Sequence, residues 1–564
     1  MLPLTRSRDR ARFFKGLSAV WTPLQLFADN EVGAWYDPSD LTTLYEDAAG
    51  TVPVTAVEKP VGLMLDKSKG LVLGVERSGG LATGTLNLAA FATDTGETLP
   101  ADVKVLKFVV SVSAFTSGSL TIGVGAQSVT ANRALTISSA GTFSAIYMIP
   151  ASETVIQYRT LGSGFVGTID NISVRELPGN HAYTPGATSV QTTNSPRLSA
   201  RYNLLQYTED FSNAAWVLAG SVLGSVVPPT RTSYTGTLPN GTTGTIYRFS
   251  FPAVTAANSF SIAYQISNLA QQASVNYKPS LYIKRVSGGT KLPLLVESST
   301  TGPTSGGYTS SVLDVTDSWV QYSYLSALTG TPAGNIVPTF GFDGRIPSNL
   351  NLGAITVDVW GADFRVANDG AGLPLYQRVG NGAVGSADYD QTGFPQGESF
   401  DGTDDYHIAA VSGGATTAFF FCASIRLGRV GSVQTIFSDA GTNTGYRVRI
   451  NASNQLEFSA GNGSAYTTAT TTAALGLAER AVITCWHDGT NLNAQINNGT
   501  VAQAAFATAT AGTAQITMGR DNNLTTSPFR GYVYETVYVK NDVQTAGQIA
   551  SAKTYCATAG KITL

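Results

Sequence analysis

The stretch from Ala481 to Phe506 reads AVITCWHDGTNLNAQINNGTVAQAAF. It divides into three alternating runs, Ala481–His487, Asn491–Asn497 and Val501–Phe506, separated by Asp488-Gly489 and Asn498-Gly499. Asp-Gly and Asn-Gly between alternating runs signal hairpins, because both central residues of the tight turn need positive φ. The stretch predicts a three-stranded antiparallel meander. The same period of two recurs outward from it. Tyr446, Val448 and Ile450 alternate with Arg447 and Arg449, giving one apolar and one charged face. Leu120, Ile122 and Val124 alternate with Thr121 and Gly123, and Leu281 and Ile283 with Tyr282 and Lys284. Short strands punctuated by Gly, Asn and Asp read as β-sandwiches. Two segments alone read as helical. One lies between Asp9 and Thr22, with Phe13, Phe14, Leu17 and Val20 at helical spacing before Pro23. The other runs from about Thr545, a capping residue, to Thr558, with Ile549, Ala552 and Cys556 on one face. The expected fold class is all-β: tandem β-sandwich (jelly-roll) domains with a small, irregular, partly helical N-terminal anchor.

Composition shifts mark the boundaries. Residues 1–70 hold Trp21, Trp35 and several prolines without clean alternation, and read as an anchoring segment. Residues 71–177 form a first sandwich and 178–199 a linker rich in proline and small polar residues. Residues 200–366 form a second sandwich, 367–386 a Gly-rich connector and 387–564 a third sandwich. The first two sandwiches both close on a Val/Ile strand after a Gly-containing turn, the sign of a weak tandem repeat.

Only 13% of the 564 residues are charged, and the net charge is −3. That speaks against a partner rich in phosphates, and so against nucleic acid. No run of about 20 apolar residues is present to cross a bilayer. The basic N-terminus (Arg6, Arg8, Arg10, Arg12, Lys15) lacks the apolar region of a signal peptide, which predicts synthesis in a cytoplasm without general secretion. Cys422, Cys485 and Cys556 are too few, and odd in number, for a disulfide framework, and read as buried thiols.

Three histidines leave little for acid–base chemistry: His181 reads as a solvated linker residue, His407 and His487 as strand-end residues. There is no Glu-x-Asp-x-Glu run, nucleophile elbow, zinc motif or P-loop. Glu535 is the lone carboxylate of the last long strand. The expectation is a protein that is not an enzyme, with carboxylates gathered from distant strands as the alternative.

Several stretches resemble known families. FDGTDDY at Phe400–Tyr406, CWHDGTNLNAQINNGT from Cys485 and GYVYETVYVKNDVQTAGQIAS from Gly531 together resemble a concanavalin A-like, laminin-G-like domain. Asn203–Trp216 (NLLQYTEDFSNAAW) is similar to the opening of carbohydrate-binding-module-like sandwiches in tailed-phage fibres and head spikes. Val32–Asp40 (VGAWYDPSD), Pro60–Ser68 (PVGLMLDKS) and Tyr389–Phe394 (YDQTGF) resemble phage fibre and prophage structural proteins. The resemblance implies a virion surface protein, usually trimeric, on head or tail.

Four groups of residues are candidates. Asp401, Asp404 and Asp405 suit a hard cation such as calcium, or else hold their turn by hydrogen bonds to backbone. Tyr532, Tyr534 and Tyr538 alternate with Val533, Val537 and Val539; with the valines inward, the tyrosines form an outer stripe for a glycan or for a domain or subunit interface. Phe13, Phe14, Trp21, Trp35 and Tyr36 are the docking residues of the expected virion anchor. Trp216, Trp319 and Trp360 read as core fillers. The leading function is a homotrimeric virion fibre or spike binding host-surface glycans. A purely structural decoration protein and a polysaccharide depolymerase are the alternatives.

Overall fold

Each of the three runs in the quoted stretch is a strand of one antiparallel meander. Arg480–His487 pairs with Asn491–Ile496, which pairs with Ala502–Ala505. The connections are not the expected two-residue turns. Gly489 (φ +88°) and Asn497 (φ +51°) take the left-handed conformation, and the Asp488 carboxylate accepts the amides of Thr490 and Asn491. A side chain therefore closes the first loop, in place of a second positive φ.

The computed structural model describes residues 21–29, 31–78, 83–87, 93–99, 105–124, 133–149, 155–160, 164–185, 194–221, 226–267, 275–299, 308–328, 334–369, 372–380, 388–410, 417–513, 515–522 and 527–564. It is an all-β protein of stacked antiparallel sheets, with one α-helix among the described residues. A first sandwich of two four-stranded sheets spans Gly84 to Glu176 and buries Leu106, Phe108, Leu120, Ile122 and Val174. A second, with sheets of five and six strands, spans Val217 to Val366 and closes on Phe249, Leu281, Ile283, Phe340 and Val357. Across residues 105–112 of the first sandwich alternate residues turn inward, as the period of two predicts.

The third sandwich differs from its expected boundaries. Its eight-stranded sheet includes Val32–Tyr36 and Arg197–Ser199 beside Gly397–Asp401, Arg530–Lys540 and the meander. Its nine-stranded sheet includes Leu44–Tyr45, Leu63–Met64 and Ala182–Tyr183. The segments 1–70 and 178–199, expected to be an anchor and a linker, thus supply strands to one hub. The first two sandwiches are insertions between hub strands. Short strands of two to five residues carry too little alternation to be recognised singly; they form because the hub offers paired edges. Trp35 and Tyr36, expected as exposed docking residues, are buried in the hub. Phe13, Phe14 and the expected helix of residues 9–22 lie outside the described residues, apart from Trp21 and Thr22 at its end.

The second expected helix is present as Ala546–Ala559. Thr545 accepts the Gln548 amide while the Gln548 side chain accepts the Thr545 amide, and Ala552 and Cys556 face the hub. Trp216 fills the main core of the second sandwich, Trp360 is buried in a smaller core, and Trp319 is partly buried against that smaller core. The smaller core also holds Leu238, Ile246, Tyr282 and Tyr376.

Candidate functional site

The last long strand, Arg530–Lys540, does not keep the single alternation on which the tyrosine stripe rested. Its pairing with Phe419–Leu427 slips by one residue between Ser424 and Ile425, which face Glu535 and Val533. Tyr534 is the extra residue of this bulge, and past it the two faces exchange. Val533 and Tyr538 therefore both lie in the hub core, Tyr538 at 5.2 Å from the Phe437 ring. Val537 and Val539 lie on the other face, under the helix. Tyr532 and Tyr534 are stacked 6.1 Å apart and packed on Tyr202 of the chain entering the second sandwich. The Arg426 guanidinium sits over Tyr202 and Tyr532, at 5.7 and 5.3 Å, and is bonded through Nε and Nη2 to the Asp369 carboxylate. The single outward stripe is thus broken, with Tyr532 and Tyr534 taking the domain-interface alternative and Tyr538 departing from it. Two of its tyrosines are closed in a junction between hub and second sandwich, and the third is core.

The predicted histidines, Glu535 and the cysteines are also interior, and Trp21 is partly buried. His181, expected to be solvated, is buried; its Nδ1 accepts the Asp66 amide. His407 is buried against Glu398 at 2.8 Å. His487 bonds the Tyr446 hydroxyl and the Phe506 carbonyl. The Trp35 indole donates to Glu535, whose carboxyl is pushed well above its ordinary range by burial and by Asp37 nearby. Trp21 packs edge-on against Tyr555 of the helix. All three cysteines are buried thiols.

Asp401, Asp404 and Asp405 bring one oxygen each to within 4.8 Å of one another, a spacing that a hard cation fits. Two of the three carboxylates also serve the turn: Asp401 accepts the Thr403 amide at 2.7 Å and Asp405 accepts the Asp401 amide at 2.8 Å. Burial, with Asp401 and Asp404 alongside, pushes the Asp405 carboxyl up to about 6. Its folded value is raised, so the unfolded chain releases this proton first. Stability is then expected to fall as pH rises from about 4 to 6, by roughly 2–3 kcal/mol. Scanning calorimetry should show Asp405→Asn flattening that slope and raising Tm at pH 7. A Tm that drops with a chelator would instead show that the three carboxylates hold a cation.

A polar face that the sequence suggested only through Arg447 and Arg449 lies on the hub's nine-stranded sheet. The strand Thr444–Ile450 turns Tyr446, Val448 and Ile450 into the core, so both arginines point away from it. The Arg447 guanidinium lies 3.7 Å from the centre of the Tyr466 ring, two strands away, and 3.5 Å from the Asp521 carboxylate. Asp521 also accepts from Ser438 Oγ at 3.0 Å, and Thr517 Oγ1 donates to Asn522 at 3.1 Å. Arg449 donates to Glu457 at 2.9 Å. The adjoining Arg520 is stacked on Tyr406 at 3.3 Å. Burial and the neighbouring Arg449 hold the Arg447 guanidinium below its ordinary value. Guanidinium planes fixed on tyrosine rings present oriented donors, beside carboxylate and amide acceptors. Asp521, Ser438 and Thr517 are themselves buried, which leaves the partly exposed Arg447, Arg449 and Tyr466 as the groups able to hydrogen-bond hydroxyls. A concavity of about 210 Å³ lies elsewhere, in the second sandwich, between Leu204, Gln206, Val217, Gln265 and Ile266.

No family model matches the chain, and no curated protein does. Among solved structures it is similar to the CBM22-1–GH10 modules of Clostridium thermocellum xylanase 10B in complex with xylohexaose. That match has 15% identity and a TM-score of 0.20 over 31% of this chain, and the chain spans 30% of the xylanase structure. Mouse laminin alpha1 domains LG4-5 match at 13% identity and a TM-score of 0.23, over 52% of this chain and 95% of that one. The CBM22-1–CBM22-2 tandem of Paenibacillus barcinonensis Xyn10C matches at 12% identity and 0.20, over 61% and 99%.

Proposed function

We propose that this chain is a non-catalytic, glycan-binding surface protein of a bacteriophage particle, a head spike or tail fibre, acting as a homotrimer. The observation that carries the binding is the Arg447–Tyr466 stack beside Asp521, an ordered polar face turned away from the hub core. The phage fibre-like stretches quoted above support the particle assignment. Three weak sites on one trimer would act together through effective concentration. Attachment to the particle is assigned to residues ahead of Trp21, since Trp35 and Tyr36 are occupied within the hub.

The test is a glycan array, followed by host-cell binding, with the whole chain. Arg447→Ala and Tyr466→Ala are each expected to weaken glycan binding about tenfold, a loss of roughly 1.4 kcal/mol, and Arg447→Ala to lower Tm as well, because it leaves the buried Asp521 carboxylate without its ion pair. A chain that binds no host surface would favour the decoration protein. Shortened capsule or lipopolysaccharide chains after incubation would favour the depolymerase.

A further inference from the structure

Lys540 and Asp439 meet inside the hub, with Nζ 2.9 Å from Oδ2 and both side chains wholly inaccessible to solvent. Lys540 ends the strand Arg530–Lys540 of the eight-stranded sheet, and Asp439 follows the strand Gln434–Ser438 of the nine-stranded one. The pair therefore spans the two layers of the sandwich. Its surroundings are aromatic: Phe419 pairs with Lys540 in register, and Phe437 and Tyr538 pack together nearby. Among the described residues, Asp439 is the one side chain bonded to the ammonium. The second carboxylate oxygen, Oδ1, accepts the Tyr446 amide at 2.6 Å. Two glycines make room for this group. A Cβ at Gly445 would come within 2.6 Å of Oδ1, and one at Gly512 within 2.9 Å. A charged pair so placed recovers its hydration with difficulty, and a single-point contact leaves the ammonium under-bonded.

We propose that Lys540 and Asp439 become joined by an amide bond that the folded chain forms by itself. One proton passes from Nζ to Oδ2 along the 2.9 Å contact, giving a neutral amine and a carboxylic acid. The nitrogen lone pair adds to Cγ, and the negative charge that develops rests on Oδ1, where the Tyr446 amide already donates. Oδ2 then leaves as water, carrying both of its hydrogens from the nitrogen. One C–N bond forms, one C–O bond breaks, and no oxidant or reductant is needed. The fold supplies proximity, by holding the reacting groups in contact between the two facing sheets, and a dry core that opposes the reverse hydrolysis. The product ties the two sheets of the hub covalently.

Intact-mass spectrometry of the full chain, unfolded in denaturant, tests this. The expected mass is lower than that of the sequence by one water. A digest should contain a branched peptide joining the segment of Asp439 to that of Lys540. Lys540→Arg and Asp439→Ala should each restore the full mass. A wild-type chain at its full sequence mass overturns the proposal, and so does a water loss that maps to Asp488-Gly489 as a succinimide. If the variants fail to fold, the wild-type spectrum and its branched peptide decide alone.

Discussion

A chain lacking residues 1–45 is expected to lose the hub altogether, with little soluble protein and no cooperative hub transition in calorimetry, whereas one lacking residues 1–20 should melt normally. The strand Val32–Tyr36 pairs along its whole length with Thr536–Lys540. Removing it uncovers that edge and strips Ala34, Trp35, Tyr36 and Leu44 from the interior. Each large apolar side chain contributes about 1.5–3 kcal/mol. Glu535 loses the indole that donates to it, at roughly 1–3 kcal/mol for a buried polar group left unmet. Together these approach the 5–15 kcal/mol by which a whole domain is typically stable. A well-folded protein without residues 1–45 would show that the hub does not need its first strands.

The second large effect is expected at the junction of hub and second sandwich. Arg426→Ala leaves the Asp369 carboxylate buried and uncompensated beneath the Tyr202–Tyr532 stack, at a cost of about 3–5 kcal/mol. Because Arg426 sits on a hub strand and Asp369 just past the last strand of the second sandwich, the two units should also melt further apart in temperature. Replacing both partners, as Arg426→Met with Asp369→Leu, should recover most of the loss, since the desolvated charge goes with its partner. An Arg426→Ala chain with unchanged thermograms would rule out the junction as a brace.

The fold class was legible because long strands repeat their alternation often enough to be seen. Tyr446-Val448-Ile450 and Leu281-Ile283 turn inward as read, and the Thr545 cap and its helix stand where expected. The hub was not legible, because its extra strands are short and their partners lie far along the chain. Leu63–Met64 or Ala182–Tyr183 has no period of its own. Tyr538 left the expected tyrosine stripe for a different reason. A bulge is set by pairing with the neighbouring strand, and one inserted residue reverses every side chain beyond it. The arginine face was half visible. Arg447 and Arg449 are polar positions of an evident strand, but Tyr466, Asp521 and Arg520 reach them only through sheet order.

The pairing of the first hub strand with nearly the last has a consequence for biosynthesis. Trp35 and its partner Glu535 are 500 positions apart, so the first strand leaves the ribosome long before its neighbour exists. At about 5–20 residues per second, the wait is roughly 25–100 s. During that interval the two inserted sandwiches can complete their own cores, while an unpaired VGAWY edge is left open to chaperones or to a neighbouring nascent chain. Maturation of the hub is thus gated by translation of the strand Arg530–Lys540, and termination ahead of it would yield protein with two finished modules and no base to carry them.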